Sequence, residues 1–277
     1  MGCKLCFYTH PFPRVKTYFD MVDTAVEYGL SAVEAFNMLD FGMPDKEKAK
    51  AVREYADSKG VIFPCFSVFA DISIGDFKEN VRRLKDYAEI AGILGSPYLH
   101  HTIVGECRTP ERVLANKAEL FNLGIDAARE VYDYAESLGV KTIVEEQGYI
   151  FNGIEGVERF LDSVKRDMKL VADFGNIFQS GDSPEEFVKY FAGSFVHAHI
   201  KDFALRDQNE KGTGFKTLTG QYIHEVELGK GDVNLEKVFD VLKKSGYTGF
   251  YGLEFGAESD DSSVVSDAIS MIDDFLA

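Results

Sequence analysis

Eight short runs rich in β-branched and aromatic residues alternate with longer amphipathic runs along the whole chain. This alternation predicts βα units, in which a helix follows each strand and covers a parallel sheet. Eight such units are the number that closes into a barrel, so we expect an α/β fold of the (β/α)₈ (TIM barrel) type. The predicted strands are Lys4–Tyr8, Ala32–Phe36, Val61–Ser67, Tyr98–Thr102, Lys141–Glu145, Lys169–Asp173, Phe195–Ile200 and Gly249–Glu254.

Helix signals fall between these strands. Pro110 and Pro184 each follow a residue that commonly caps a helix, which is typical of a helix start. The predicted helices are Val15–Tyr28, Lys46–Lys59, Phe77–Leu94, Pro110–Leu138, Gly156–Lys165, Pro184–Phe191, Leu235–Lys244 and Ser263–Phe275. An open, doubly wound sheet is the alternative. Its nucleotide-binding form lacks support because no Gly-x-Gly-x-x-Gly follows the first strand.

The chain has 277 residues, of which 45% are apolar. Barrels of this type commonly run to about 250 residues as one domain, so we expect a single domain over residues 1–277. One connection stands out. Residues 201–231, between the seventh predicted strand and the seventh predicted helix, form a long loop in this interpretation, and such loops are often lids.

The net charge of −16 argues against nucleic acid and anionic membrane partners, because both require basic faces. We find no apolar stretch long enough to cross a bilayer and no signal-peptide pattern at the start. Four cysteines in a chain of this size suggest reduced thiols rather than a disulfide framework. We therefore expect a cytoplasmic protein that acts on a small molecule.

Four late strands end in a polar residue that follows an apolar run. These residues are Glu145, Asp173, His199 and Glu254. The C-terminal strand ends of a barrel build its active site, so three carboxylates should meet at one mouth. A divalent cation would relieve their repulsion, and an imidazole with oxygen ligands suits Mn²⁺, Mg²⁺, Co²⁺ or Zn²⁺. Each residue taken alone could instead be a strand-end group facing water.

Other candidates lie near the same mouth. Lys201 continues the face of His199 and could reach a substrate oxygen, or lie in a solvated loop. His197, one layer deeper, is either a partner of His199 or a satisfied core histidine. Only one of His100 and His101 can enter the mouth, and we favour His101 as a substrate contact because it is nearer the loop.

Two weaker signals concern the pocket wall. His10, after the first strand, could line the pocket. Four phenylalanines of early strands could form an apolar wall against a sugar, although core packing is their commoner role. They are Phe7, Phe36, Phe66 and Phe69.

Several segments resemble the sugar phosphate isomerase/epimerase family with the xylose isomerase-like barrel, which includes ketose 3-epimerases. The carrying segments are KTIVEEQG, MKLVADFGN, FVHAHIKD and GKGDVNLEKVFDVLKKSGYTGFYGLEF. The resemblance implies one metal ion per chain, with Mn²⁺ the first expectation, on the four strand-end residues. It also implies that Glu145 and Glu254 are the acid/base pair, moving a proton beside a carbonyl through a metal-stabilised enediolate.

The resemblance extends to further residues and to assembly. Glu34 looks like the family's second-strand glutamate, and Arg206 resembles in position an arginine that follows the seventh strand in some members. The family often has histidines where this chain has Gln147 and Asn176, so the exact substrate, a sugar or a sugar phosphate, stays open. Members often form homodimers or homotetramers. A phosphate site would need backbone amides and a cation near the last loops, for which Gly229–Gly231 and Lys201 are hints.

Four functions compete. The first is a sugar isomerase or epimerase, and the second is a dehydratase or carbon–glycoside lyase that shares the proton abstraction. A DNA repair nuclease would need three metal ions and extra histidines, which Asn176 and the acidic balance argue against. A non-enzymatic sugar-binding barrel would not need paired glutamates beside a metal.

Overall fold

The computed structural model describes residues 4–8, 14–106, 109–209, 212–254 and 262–276. Its main feature is one eight-stranded sheet in which all neighbouring strands are parallel. The strands of this sheet are β1 (Leu5–Phe7), β2 (Ala35–Phe36), β3 (Phe66–Val68), β4 (Tyr98–His101), β5 (Lys141–Val144), β6 (Lys169–Asp173), β7 (Phe195–Ile200) and β11 (Phe250–Leu253).

Hydrogen bonds close this sheet into a barrel. The sheet runs from β1 through β11 and back to β2. Phe7 then joins the two edges, because its amide donates to the Ala32 carbonyl at 3.0 Å and its carbonyl accepts from the Glu34 amide at 3.0 Å. The (β/α)₈ fold predicted from the sequence is confirmed, and the open, doubly wound alternative is wrong.

Helices follow the strands around the outside of the barrel. They are α1 (Tyr18–Glu27), α2 (Lys46–Lys59), α3 (Phe77–Leu94), α4 (Pro110–Ala115), α5 (Lys117–Ser137), α6 (Gly153–Val164), α7 (Pro184–Tyr190), α8 (Leu235–Lys244) and α9 (Ser262–Leu276). The long helix predicted over Pro110–Leu138 is broken at Asn116, whose side chain donates to the Arg112 carbonyl at 3.1 Å. Within the described ranges, no helix is both long and apolar enough to cross a bilayer.

The barrel interior is divided into layers. Buried Cys65, Ile143 and Val171 form a small apolar cluster separate from the large core, which we call the apolar plug. Other inward side chains are polar, and Glu34 and His197 are both almost completely buried. The large apolar core lies outside, between strands and helices, so the polar interior is a separate layer that carries the site.

Residues 201–231 do not form the irregular loop that the sequence predicts. Three strands pair there as an antiparallel sheet, which we call the cap sheet: β8 (Asp202–Arg206), β9 (Phe215–Lys216) and β10 (Tyr222–Val226). Its three strands pair with one another inside a single connection and have no helices between them. The alternation of strands and helices that identified the barrel strands therefore did not identify these three. The cap sheet stands beside the C-terminal strand ends because β8 follows β7 after one residue.

One buried carboxylate ties the cap sheet to the chain that leads into α8. Asp202 Oδ2 accepts from the amides of Gly229 and Gly231, both at 2.9 Å, and Oδ1 accepts from the Val233 amide at 3.2 Å. A Cβ at position 231 would collide with the Asp202 carboxylate, so only glycine allows this close approach.

We expect Asp202→Asn to lower the thermal unfolding temperature and to expose residues 201–231 to proteolysis. The amide side chain loses one acceptor position and points a donor at backbone amides, a loss of roughly 1–3 kcal/mol. Thermal unfolding with limited proteolysis measures both effects. Asp207→Asn is the control, because Asp207 is an exposed carboxylate next to the same sheet. Equal behaviour of the two variants would contradict the anchoring role.

Candidate metal centre and active site

The four polar residues that the sequence places at strand ends converge in the structure. Asp173 is in register with His199 on the neighbouring strand, and Glu145 and Glu254 directly follow β5 and β11. One potential ligand atom from each of the four residues lies within 4.8 Å of the others. The strand order explains the convergence, because β5, β6, β7 and β11 are successive neighbours in the barrel.

His199 is at the centre of this group. Its Nδ1 atom lies 2.8 Å from Glu145 Oε1, 3.1 Å from Glu254 Oε2 and 4.0 Å from Asp173 Oδ2. The ring is buried and stacks against Tyr8, with ring centroids 5.0 Å apart. One ring nitrogen therefore faces all three carboxylates, which is the arrangement that a shared cation requires.

The chemistry of the group fits a divalent cation. Asp173 Oδ2 and Glu254 Oε2 are buried and accept no hydrogen bond among the described residues. Burial, together with the charges of Asp173 and Glu254, raises the pKa of Glu145 to about 7, against the opposing hydrogen bond from His199. Hard oxygen ligands with one imidazole match Mg²⁺ or Mn²⁺, and a cation would supply the missing positive charge. The role of these residues as ligands stays a prediction.

Lys201 offsets part of the negative charge. Its Nζ atom lies 2.8 Å from Glu254 Oε1 and 3.3 Å from Asp173 Oδ2. Burial acts to lower the pKa of Lys201, but the surrounding carboxylates hold it well above the usual value. Burial acts to raise the pKa of Glu254, but Lys201 and His199 hold it below its usual value. The pKa values of the two glutamates are thus shifted apart, that of Glu145 upwards and that of Glu254 downwards.

Glu34 lies behind His199, where the predicted role in substrate binding needs correction. It is fully buried, and its carboxylate contacts His199 Nε2 at 2.8 Å and His197 Nε2 at 2.6 Å. Burial acts to raise the pKa of Glu34, but the two histidines hold it well below the usual value. Glu34 directly precedes β2 and does not line the cavity, so its carboxylate contacts the two histidines instead of a bound substrate. His197 is accordingly a partner of this carboxylate.

A cavity of about 610 Å³ opens above the cluster. Of the predicted substrate contacts, Gln147, Asn176 and Lys201 line it. Phe36 and Phe69 line it as well, whereas Phe7 and Phe66 belong to the buried core. The remaining lining residues are Tyr8, Asn37, Val68, His100, Thr102, Glu145, Gln179, Phe203, Phe215, Ile223, Glu225 and Glu254.

His100, not His101, faces this cavity, which corrects the prediction for the fourth strand. His101 is buried away from the cavity, with its Nδ1 atom 3.0 Å from the Thr102 carbonyl, and burial lowers its pKa to about 4. His100 pairs in register with Ser67 and Ile143, whose side chains point into the barrel. Nearness to the loop was the wrong criterion, because side-chain direction alternates along a strand.

Two further predictions for the late loops are also corrected. Arg206 is half-exposed at the end of β8, 3.7 Å from Asp232, and does not line the cavity. The strand geometry of the cap sheet turns it outwards. The amides around Gly229–Gly231, a hint of a phosphate site, already donate to the Asp202 carboxylate. His10 lies outside the described residues.

Sequence reasoning missed the contribution of the cap sheet to the cavity. Phe203, Phe215, Ile223 and Glu225 form one side of the cavity, and Gln179 adds an amide from the turn after β6. The β-branched and aromatic residues of YIHEV are a strand signal that could have indicated a strand of the cap sheet.

Comparisons with known proteins agree with this architecture. The sequence matches the xylose isomerase-like TIM barrel family over residues 22–275. The chain belongs to this family. Its relatives include an inosose dehydratase of Clostridium perfringens (strain 13), 23% identical over 228 residues, which cover 78% of this chain and 75% of the relative. An inosose isomerase of Halalkalibacterium halodurans is 25% identical over 182 residues, covering 64% and 60% of the two chains.

Solved structures share the fold at low sequence identity. A xylose isomerase domain protein of Planctomyces limnophilus superposes with a TM-score of 0.76 at 18% identity, covering 99% of this chain and 98% of the other. A xylose isomerase-like TIM barrel protein of Mycobacterium smegmatis, in complex with magnesium, gives 0.74 at 16% identity, with 99% and 96% covered. A D-tagatose 3-epimerase-like protein gives 0.73 at 18% identity, with 99% and 97% covered.

Metal addition should raise the unfolding temperature of the wild-type protein. A cation that binds only the folded state contributes about 2.7 kcal/mol at one hundred times its Kd. Thermal unfolding with Mn²⁺ or Mg²⁺, reversed by a chelator, measures this effect. We expect His199→Ala and Asp173→Ala to lose the response, and Asp240→Asn, on the exposed surface of α8, to keep it. A wild-type protein without any response would contradict the metal centre.

Proposed function

We propose that this member of the xylose isomerase-like TIM barrel family is a metal-dependent isomerase or epimerase of an uncharged sugar or cyclitol. The observation that carries the proposal is the pair of glutamates, Glu145 and Glu254, which share one histidine nitrogen at the floor of a cavity. The inosose isomerase relative and the D-tagatose 3-epimerase-like neighbour support this class of reaction.

The metal would be held by Glu145, Asp173, His199 and Glu254. We expect one divalent ion per chain, with Mn²⁺ or Mg²⁺ favoured by the three carboxylates, and the magnesium complex of the Mycobacterium smegmatis neighbour supports this choice. When bound, the cation would supply positive charge that offsets the negative charge developing on substrate oxygens as a proton leaves the adjacent carbon.

Glu145 and Glu254 would move the proton. One carboxylate removes it from the carbon beside the carbonyl, and the other returns a proton to the opposite face or to the neighbouring carbon. The ion pair with Lys201 keeps Glu254 ionised and fixes its position, which suits a base. The elevated pKa of Glu145 suits a group that holds a proton during the reaction.

The remaining cavity residues would bind and orient the substrate. The amides of Gln147, Asn176 and Gln179 can donate to or accept from hydroxyl groups without carrying charge. The aromatic rings of Phe203 and Phe215 face the cavity from the cap sheet and can cover the carbon face of a ring while excluding water.

Three features favour a substrate without phosphate. The amides near Gly229 that could hold an anion are satisfied by Asp202. Arg206 lies outside the cavity. Lys201 already faces two carboxylates within 3.3 Å. Among the described residues that line the cavity, carboxylates outnumber the one cation, Lys201, so a substrate phosphate there would be repelled more than attracted.

Dehydration is the second candidate, and the inosose dehydratase relative favours it. The first step is the same proton removal. The outcome then depends on the substrate, because a hydroxyl beside the carbanion-like carbon can leave as water. Lys201, close to Glu254 at the floor of the cavity, could donate the proton that the leaving hydroxyl needs to depart as water.

Solvent deuterium should enter the carbon beside the carbonyl when the metal-loaded enzyme meets its substrate in a panel of ketoses and inososes. We expect Glu145→Gln and Glu254→Gln each to lose roughly 10²- to 10⁴-fold in exchange rate, the usual contribution of a positioned acid or base. Nuclear magnetic resonance of the product measures the exchange. Glu227→Gln, an exposed glutamate after the cap sheet, is the control.

Full exchange in either glutamine variant would remove that residue from the acid/base pair. The products separate the two candidate reactions. Isomerisation or epimerisation preserves the substrate mass apart from deuterium, whereas dehydration loses one water. Metal content measured on each variant distinguishes a lost ligand from a lost proton carrier.

Unphosphorylated substrates should be preferred over their phosphorylated counterparts by roughly 100-fold or more in kcat/KM. The physical reason is the cost of several kcal/mol for burying an unpaired charge. D-fructose and D-fructose 6-phosphate form one matched pair for steady-state kinetics, and an inosose with its phosphate forms another. A preference for the phosphate in either pair would contradict the assignment of an uncharged substrate.

A further inference from the structure

His100 points an unused nitrogen into the cavity. The side chain is buried, and its Nε2 atom has no hydrogen-bond partner among the described residues. Glu145 Oε2 lies 3.7 Å away, which is longer than a hydrogen bond. A buried polar atom left without a partner is costly, so this nitrogen points to a ligand atom that completes the contact.

Hydrogen-bond accounting determines which form of the His100 ring is present. Glu34, as a carboxylate, can only accept, so the single hydroxyl proton of Ser67 is donated to Glu34 Oε1. Ser67 Oγ must then accept at its contact with His100 Nδ1, at 2.9 Å. Nδ1 therefore carries the ring proton of neutral His100, and Nε2 presents a lone pair to the cavity.

The same carboxylate orients the neighbouring ring. Glu34 Oε1 also accepts from His199 Nε2 at 2.8 Å, so in a neutral ring that binds the proposed cation Nδ1 would carry the lone pair. Glu34 thus controls both imidazoles, His199 directly and His100 through Ser67. Carboxylates that fix the tautomer of a histidine in this way are common behind metal sites.

The lone pair of His100 selects the kind of group that can approach it. It requires a donor, and Glu145 cannot supply one, because its Oε2 atom lies 3.7 Å away and a carboxylate that holds the proposed cation is ionised. The donors carried by the ligand proposed above are its hydroxyl groups. We propose that His100 is a substrate-binding residue whose Nε2 atom accepts a hydrogen bond from a substrate hydroxyl beside Glu145, in the tautomer that Glu34 imposes through Ser67. The identity of the donor as a sugar or cyclitol hydroxyl rests on the proposed function.

The tautomer can be measured without turnover. The chain has only six histidines, so long-range ¹H–¹⁵N spectra of the metal-loaded protein contain the signals of few imidazole rings, and the ¹⁵N shifts report which ring nitrogen is protonated. We expect the ring that disappears in His100→Asn to be neutral with an unprotonated Nε2. Addition of an inosose or D-fructose should move that nitrogen resonance in the direction of hydrogen bonding. A protonated Nε2, or a resonance that no probe moves, would overturn the inference.

Binding measurements give the second arm of the test. Asparagine at position 100 keeps a donor for Ser67 but removes the acceptor in the cavity. We expect His100→Asn to raise the KM or Kd of the probe roughly 3- to 10-fold, the usual effect of one lost hydrogen bond, with metal affinity unchanged. An analogue lacking the hydroxyl in question should bind both proteins equally. His101→Asn, which alters the adjacent ring facing away from the cavity, should bind the probe as the wild type does.

The outcomes separate this inference from the proposed function. Loss of metal affinity in His100→Asn would make His100 a metal ligand and overturn its role as a hydroxyl acceptor. Unchanged probe affinity in that variant would overturn the inference as well. If deuterium exchange is absent from every ketose and inosose while the probe moves the His100 resonance, the proposed reaction fails but the hydroxyl contact stands.

Discussion

Mutual repulsion among three buried carboxylates is the constraint on which the rest of the site depends. Glu145, Asp173 and Glu254 come from three different strands and meet around one nitrogen of His199. Buried like charges are tolerated only when cations or donors compensate them. Lys201 compensates part of the charge, and a divalent ion would compensate the rest. Because the same glutamates are the proposed proton carriers, the metal site and the catalytic site form one constellation.

Support for this constellation comes from the layer below it. Glu34 is fully buried, and its carboxylate contacts both histidines of β7. Its position fixes the ring orientation in which His199 Nδ1 faces the three carboxylates. A carboxylate at the centre of the barrel is therefore a structural requirement of the site, although it has no surface on the cavity.

The side wall of the cavity is provided by the cap sheet rather than by the barrel. Asp202 holds this sheet against the chain that enters α8 by accepting three backbone amides. The same contacts occupy the amides that would otherwise bind an anion. Under the proposed function, the side chain that anchors the sheet carrying Phe203 and Phe215 would thus also disfavour a phosphorylated substrate.

The sequence by itself determined the barrel and the four strand-end residues, because both follow from local periodicity and from the rule that sites lie at C-terminal strand ends. It could not determine which of His100 and His101 enters the mouth, since direction depends on register with β3 and β5. It also could not reveal that Glu34 faces histidines or how the strands within residues 201–231 pair into a sheet. Those features depend on contacts between residues far apart in the chain or paired within one connection, and only the tertiary structure brings such residues together.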